Sequence, residues 1–385
     1  MKIVLIGGHL SPVLSVLQAL PKTTEILFLG RKYGLEGDNA LSLEYETINA
    51  LNIPFVDLNT ARLQRKLTKH TIPSLLKLPF GIVKSFLTLI KFKPNVVVGF
   101  GGYISIPVVF CAYLLRIPIV IHEQTLEAGF ANRFLAKFAT RICISWQASQ
   151  KYFPKDKTVL TGNPIRKFST FSPRGEAGNF LASRRSGQLS TEKDKLPMIY
   201  ITGGSSGSHF INTLVEGCLE ELLRSYNIIH QTGDAQEFHD FDRLAKIRES
   251  LSLELRERYE IKKFIDPRLV GSVFGMADLV VGRSGINTIT ELIYFEKPSL
   301  LIPLPFSQNN EQLKNAKFLK SLGLAEVFYQ DTLDSKKFLR FIVEMFNNID
   351  KYKILKRVQD DKGNAAQNII DVINYVYKNK TTKSF

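Results

Sequence analysis

The chain is poor in the residues that hold small or secreted folds together. Only three cysteines occur in 385 residues, Cys111, Cys143 and Cys218, far apart and each within an apolar run. That spacing excludes a disulfide framework and a cysteine metal site, and it reads as buried thiols in a reducing compartment. No Asp-x-Asp pair or His/Cys cluster follows a strand in a ligand-like setting, so no metal is expected. His122-Glu123-Gln124 closes an apolar strand and lacks the second histidine of the zinc helix motif. Acidic side chains are missing altogether from Leu58 to His122. An uninterrupted apolar stretch long enough to span a bilayer is also missing: Lys77, Pro79, Gly81 and Lys84 break the most apolar region. The opening MKIVLIGGHL turns at a glycine pair after one strand, too soon for a secretory core, so no signal peptide is expected.

What remains is a soluble α/β composition. Hydrophobic residues make up 44% and charged residues 23%, and 385 residues suffice for two domains with separate cores. Met1 to Ile6 predicts a strand, Gly7-Gly8-His9 a tight loop, and Ser11 to Leu20 a helix with Pro12 near its first turn. The order returns with a strand at Met198 to Thr202, a glycine-rich loop at 203–207 and a helix from Ser208 to Arg224. Each half has a later strand and glycine turn, VVVGFGGY at 96–103 and LVVGRSG at 279–285. Apolar strands alternating with helices imply parallel sheets covered on both faces. The expected fold is therefore α/β, with two Rossmann-like doubly wound parallel-sheet domains facing a cleft, the glycosyltransferase-B arrangement, which some epimerases and binding proteins share. The expected boundaries are 1–164, an exposed linker or insertion at 165–196, a second domain at 197–348, and a segment at 349–385. In that last segment Ile369, Ile370, Val372, Ile373 and Val376 mark a helix packing back on the first domain, followed by a tail.

The net charge of +15 is unevenly spread. Nine Lys and Arg fall within the acid-free stretch from Leu58 to His122. Leu75, Leu76, Pro79, Phe80, Val83, Phe86, Leu87 and Ile90 recur there at roughly helical spacing. A basic amphipathic segment with exposed apolar side chains suits an anionic membrane surface, engaged through 62–93, better than it suits nucleic acid. A core helix with a solvated lysine face is the plainer alternative.

The stretch from Gly282 to Ala316 carries the most chemistry. A strand meets a small-residue turn where a helix begins, which offers backbone amides and a positive dipole end to an anion. Glu291 lies one or two turns into that helix, placed to accept from sugar hydroxyls. The run Gln308, Asn309, Asn310, Gln312 and Asn315 can read neutral hydroxyls, since amides both donate and accept. The loop Gly203 to Gly207 is a second phosphate signal, and Arg166 could meet the same diphosphate. His9, after the first glycine pair, fits a general base for an acceptor hydroxyl, although a loop histidine can equally be structural.

Taken together, GFGGYISIPVVFCAYLLRIPIVIHEQ, TGNPIR, ITGGSSG, HQTG, FID, GRSGINTITEL and QLKNA resemble the MurG-type N-acetylglucosaminyltransferases of peptidoglycan synthesis over nearly the whole chain. The resemblance implies inverting transfer of GlcNAc from UDP-GlcNAc to the C4 hydroxyl of MurNAc in lipid I, giving lipid II, by a peripheral enzyme at the cytoplasmic face of the cell membrane with no required cofactor. It implies that Arg166, Ser205, Ser206 and Gly207 hold the donor diphosphate. Phe264 and Ile265 would border the uracil, Glu291 the ribose, and Gln312 and Asn315 the GlcNAc. It implies catalytic roles for His9 and Glu123, and an acceptor side lined by Gly7, Gly8, Gly102, Tyr103 and Thr125. The family's first loop is usually G-G-T-G-G-H, where this chain has only Gly7-Gly8-His9, and Thr125 stands where Asn is usual. The shorter loop leaves open a related glycolipid synthase acting on diacylglycerol or another polyprenyl carrier, and a catalytically silent nucleotide-sugar-binding protein. A soluble epimerase would need cleft carboxylates, and the acid-free region argues against one.

Overall fold

Strands in this chain are short runs of Val, Ile and Leu, and their alternate side chains fill cores on opposite faces of two sheets. The computed structural model describes residues 1–33, 41–58, 60, 78–165, 196–204, 207–235, 237–266, 269–353 and 364–382. The chain divides into two units, Met1–Lys167 with Asp361–Phe385, and Phe168–Asp360. Most of the expected linker, the basic stretch before Leu78, and Arg166, Ser205 and Ser206 lie outside the described residues.

In the first unit, β1 (Lys2–Ile6), β2 (Glu25–Gly30), β3 (Phe55–Asp57), β4 (Val96–Gly99), β5 (Ile119–Glu123), β6 (Arg141–Ile144) and β7 (Thr158–Leu160) form a parallel sheet in the order β3-β2-β1-β4-β5-β6-β7. Val4, Ile6, Val97, Ile119 and Ile121 face one core, while Ile3, Leu5, Val96, Val98 and Val120 face the other. The period of two along each strand makes this split. The second core is completed by the C-terminal helix (Ala365–Thr382), which contributes Ile369, Ile370, Val372, Ile373 and Val376. Each of these buried aliphatic side chains contributes on the order of 2 kcal/mol.

Helices α1 (Leu10–Ala19), α2 (Leu43–Ala50), α3 (Leu78–Phe92), α4 (Ser105–Leu114) and α5 (Phe130–Leu135) cover this sheet. Helix α3 turns Gly81, Ser85 and Leu89 inward, four residues apart. At Gly81 an added Cβ would lie 2.6 Å from Thr60 Oγ1, so the glycine lets the helix approach. Its larger apolar residues point outward: Phe80 is 75% exposed, Leu87 60% and Val83 58%. Phe86 and Ile90 join them, with Lys84 and Lys91 also exposed. The helix thus packs on the core through Leu89, Ile82 and Phe92 and still leaves a wide apolar face exposed.

In the second unit, β8 (Met198–Thr202), β9 (Asn227–Gln231), β10 (Tyr259–Lys262), β11 (Leu279–Gly282), β12 (Ser299–Leu301) and β13 (Ala325–Val327) are again all parallel, in the order β10-β9-β8-β11-β12-β13. The helices that bear on its site are α6 (His209–Glu216), α7 (Asp240–Ser250), α8 (Ile286–Phe295) and α9 (Glu311–Ser321). In each sheet the strand order reverses at one place, between β1 and β4 and between β8 and β11. Connections leave in opposite directions there, which opens a crevice at the strands' carboxyl ends. All the glycine turns singled out above end these four strands.

Candidate active site

At the first switch point, Ile6 pairs with Gly99, so the turns after β1 and β4 emerge side by side. A Cβ at Gly8 would come within 2.3 Å of Gly101 O, and one at Gly102 within 3.3 Å of Gly8 Cα. The two turns can touch only as glycine. His9 caps the start of α1. Gly101 brings His9 and Asn132 to one spot, since a Cβ there would lie 3.4 Å from His9 Cδ2 and 3.5 Å from Asn132 Nδ2. His9 as a residue is exposed, yet desolvation of its imidazole lowers the pKa from the ordinary 6.5, with the Glu123 carboxylate acting in the opposite direction. The ring is therefore neutral at pH 7 and able to take a proton. Tyr103 stands beside this pair of turns under the Arg31 guanidinium, 5.1 Å from its ring centroid.

Glu123 ends β5 and is 2% exposed. Its Oε1 accepts from Thr125 N at 2.9 Å and Thr125 Oγ1 at 2.6 Å, and its Oε2 accepts from Gly129 N at 2.9 Å and Asn132 Nδ2 at 3.0 Å. A carboxylate has about four lone-pair directions, and here all are engaged. Glu123, expected to be catalytic, is tied by these bonds to the 124–129 loop and to Asn132. Thr125, expected to touch the acceptor, belongs to the same lock, with its hydroxyl also 2.5 Å from Glu127 O. His122 faces away from proton chemistry, because burial and the neighbouring His9 hold its pKa down at about 3.

The second switch point opens into a cavity of about 760 Å³, lined among others by Gly203, Gly204, Gly207, Arg283, Gly285 and Gln312. Gly207 has φ +75°, and a Cβ on it would sit 2.0 Å from Thr232 O. Any side chain would push this turn off β9. Ser208 caps α6 and His209 opens it, so first-turn amides lie beside the cavity without intrahelical partners. Gln231, paired with Thr202 across the sheet, donates Nε2 to Gly204 O at 3.0 Å and accepts from Ile265 N at 3.1 Å. One side chain thus fixes both the glycine turn and the segment after β10.

Arg283 escaped the residue-by-residue sequence reading although it sits inside the turn that reading favoured. Its Nη1 donates to Ile302 O at 2.9 Å and its Nη2 to Gln330 Oε1 at 2.9 Å, which aligns it along the cavity wall. Burial lowers its pKa to about 10, so it stays cationic at neutral pH. A cation inside a glycine-and-helix-start turn was the available signal.

The expected donor residues divide by accessibility. Gly207 and Gln312 line the cavity, with Gln312 Oε1 accepting from Leu304 N at 2.9 Å. Glu291, half-buried on α8, and Phe264, 54% exposed, are not among the lining residues. Ile265 has its amide N–H engaged by Gln231. Asn315 is wholly buried and donates Nδ2 to Ser284 O at 3.0 Å. That bond ties α9 to the turn after β11, while its Oδ1 is buried without a hydrogen-bond partner among the described residues. Among the described residues no group of three or more His, Cys, Asp or Glu is arranged to hold a metal ion.

Two parallel α/β units with glycine turns at both switch points, one beside a cationic cavity and the other beside a neutral histidine, define a group-transfer enzyme of the glycosyltransferase-B fold. Residues 6–144 match the glycosyltransferase family 28 N-terminal domain and residues 198–373 its C-terminal domain. Similar curated proteins are the UDP-N-acetylglucosamine--N-acetylmuramyl-(pentapeptide) pyrophosphoryl-undecaprenol N-acetylglucosamine transferases of Treponema denticola, 31% identical over 88% of this chain and 85% of that protein, and of Clostridium tetani, 30% identical over 98% and 99%. The crystal structure of Acinetobacter baumannii MurG matches with a TM-score of 0.68 at 25% identity, covering 97% of this chain and all of that one. A UDP-GlcNAc 2-epimerase from Neisseria meningitidis, TM-score 0.63, is 14% identical and shares the fold alone. The chain belongs to glycosyltransferase family 28 and is of the MurG type.

Proposed function

We propose that the protein transfers GlcNAc from UDP-GlcNAc to the C4 hydroxyl of MurNAc in lipid I, with inversion, making lipid II for peptidoglycan synthesis. The observation that carries the reading is the second-unit cavity, where a glycine turn, a helix start and Arg283 meet in a chain of this family. Departure of UDP leaves negative charge on the diphosphate. First-turn amides of α6, together with the Arg283 cation, are placed to stabilise it without reorganising. In the first unit the lowered pKa keeps His9 unprotonated, so it can remove the proton from the attacking hydroxyl. Glu123 and Asn132 act through position: Glu123 holds Asn132, which meets His9 beside Gly101. Ser205, Ser206 and Arg166 remain proposed diphosphate partners, Glu291 the ribose partner, and Phe264 the uracil neighbour. Gly7, Gly8, Gly102 and Tyr103 shape the acceptor side.

The exposed apolar face of α3, with Lys84 and Lys91, supports peripheral docking on an anionic membrane, and no helix of the described residues is long and apolar enough to cross one. The lipid carrier of the acceptor would bring the enzyme to the cytoplasmic membrane face. One observation favours a second reading. The Glu44 carboxyl lies beneath the first glycine turn: a Cβ on Gly7 would come within 1.9 Å of its Oε1, and its Oε2 accepts from Arg31 N at 3.1 Å. An internal acid at that turn suits an acceptor without a diphosphate, such as a diacylglycerol. A radiolabelled transfer assay separates the two. Product from UDP-GlcNAc with lipid I, and none with diacylglycerol, is expected; the reverse pattern selects the second reading, and no product with either refutes the transferase assignment.

A further inference from the structure

His209 opens α6 directly after the glycine turn and lines the second-unit cavity with Gly207 and Arg283. Its ring is held in one pose. Nδ1 lies 2.8 Å from Asp240 Oδ1, and the ring stacks on Phe238 with centroids 4.0 Å apart and planes 12° apart. Asp240 is 4% exposed and is fixed in turn by Asn212 Nδ2 at 2.8 Å and Arg243 Nη2 at 2.7 Å. Glu216 anchors Arg243 at 2.7 Å, and Asn212 continues through His230 to the Tyr259 hydroxyl. The His209 pose is thus set by a network, buried at Asp240, Asn212, His230 and Tyr259, that reaches across α6, β9, β10 and α7.

The network also fixes the proton. Burial works to raise the Asp240 pKa, but hydrogen bonds from Asn212, His209 and Arg243 outweigh it and leave it below the usual value, so the group is a carboxylate at neutral pH. A carboxylate only accepts, and therefore Nδ1 carries a hydrogen. A neutral ring in this tautomer turns the Nε2 lone pair outward, which would repel an anion. Protonation converts Nε2 into a donor. The side chain is 42% exposed, and Nε2 has no hydrogen-bond partner among the described residues.

We propose that His209 is a donor-phosphate residue that engages the diphosphate as an imidazolium, taking up a proton on Nε2 as the nucleotide-sugar binds, with Asp240 as its counter-ion. The inference rests on the reading that this cavity takes UDP-GlcNAc. An anion is favoured over a sugar hydroxyl at this ring because the glycine turn, the α6 amides and Arg283 all present positive potential to the same space. The charged groups around the ring are Asp240, Arg243 and Glu216 on the Nδ1 side and Arg283 on the cavity wall. His239 and Asp242, where α7 begins, pair with each other at 3.7 Å.

The test is isothermal calorimetry on the full chain at pH 6 and pH 8, in buffers of differing ionisation enthalpy, with UDP-GlcNAc and with uridine as a phosphate-free probe. The diphosphate of UDP-GlcNAc stays fully ionised across this range, while a histidine ordinarily titrates within it. Wild-type affinity for UDP-GlcNAc should fall about tenfold from pH 6 to pH 8, the size of one charge-assisted hydrogen bond, with proton uptake at pH 7. His209→Gln should bind about tenfold more weakly at pH 6, lose the uptake and show a flat profile. His209→Arg, charged throughout, should restore tight binding at both pH values. Uridine affinity should be indifferent to all of these changes. A flat wild-type profile, or the same slope and uptake in His209→Gln, overturns the His209 role alone. Failure of the wild-type protein to bind UDP-GlcNAc at either pH overturns the donor-site reading with it.

Discussion

Replacing Glu123 by Gln separates a positioning carboxylate from a catalytic one. The substitution keeps shape and removes one acceptor oxygen together with the charge. The amide group would turn towards Thr125, whose hydroxyl can reverse and accept, leaving Thr125 N–H as the orphaned donor. The two bonds on the other oxygen, from Gly129 N and Asn132 Nδ2, survive but lose their charge assistance. One buried unsatisfied donor and two weakened bonds cost about 2–4 kcal/mol together. The first unit has about 190 residues, so its melting temperature should fall by roughly 5–15 °C. Because the Glu123 charge raises the His9 pKa, its loss should lower that pKa further and move the ascending limb of the kcat/KM pH profile to lower pH. UDP-GlcNAc affinity, assigned to the second unit in the proposed function, should not change. Differential scanning calorimetry and a pH–rate profile read both effects. An unchanged melting temperature with an ascending limb abolished and activity down by about 10² would make Glu123 the base and refute the reasoning.

Four further outcomes are expected. His9→Ala should leave UDP-GlcNAc affinity intact by calorimetry and lower turnover by about 10²; full activity removes His9 from the mechanism. Gly207→Ala must accommodate φ +75° and a Cβ 2.0 Å from Thr232 O, so it should destabilise the second unit by about 2 kcal/mol or more and weaken UDP-GlcNAc binding, whereas a wild-type melt would contradict the geometry. His230 has its pKa lowered to about 3, first by burial, so the unfolded chain takes up the proton more readily than the folded one. Stability is whole above about pH 6.5 and is lost as pH falls towards 3, by up to about 1.4 kcal/mol per pH unit, a slope that denaturant titrations should find reduced in His230→Gln. Leu87→Glu should cut co-sedimentation with anionic vesicles about tenfold while leaving UDP-GlcNAc affinity unchanged, and equal vesicle binding would discount the α3 surface.

Much of the fold was legible because its determinants are local. Runs such as VVVGF and IPIVIH, short, β-branched and alternating with helices, suit strands of a parallel sheet buried on both faces, and the glycine turns at Gly7-Gly8, Gly101-Gly102 and Gly203-Gly204 mark where strands end. The same turns showed where an anion could approach. Side-chain roles were less legible, since a motif fixes the residue type at a position and leaves open what meets it. Glu123 and Asn315 sit in informative motifs, yet one is saturated by its own loop and its neighbour Asn132, and the other is buried on the inner face of α9. Arg283 and His209 carry no signal by type alone.

The sequence by itself determined that two parallel α/β units exist, that each ends its switch-point strands in glycine, and that the chain carries the motifs of a nucleotide-sugar transferase. Periodicity and backbone freedom act over a few residues, so they can be read one stretch at a time. Only the tertiary structure decided which polar groups are still available to a ligand. That depends on partners as distant in sequence as Gln231 and Ile265, or Asp240 and His209, which hydrogen bonding pairs only after the sheet has set its register.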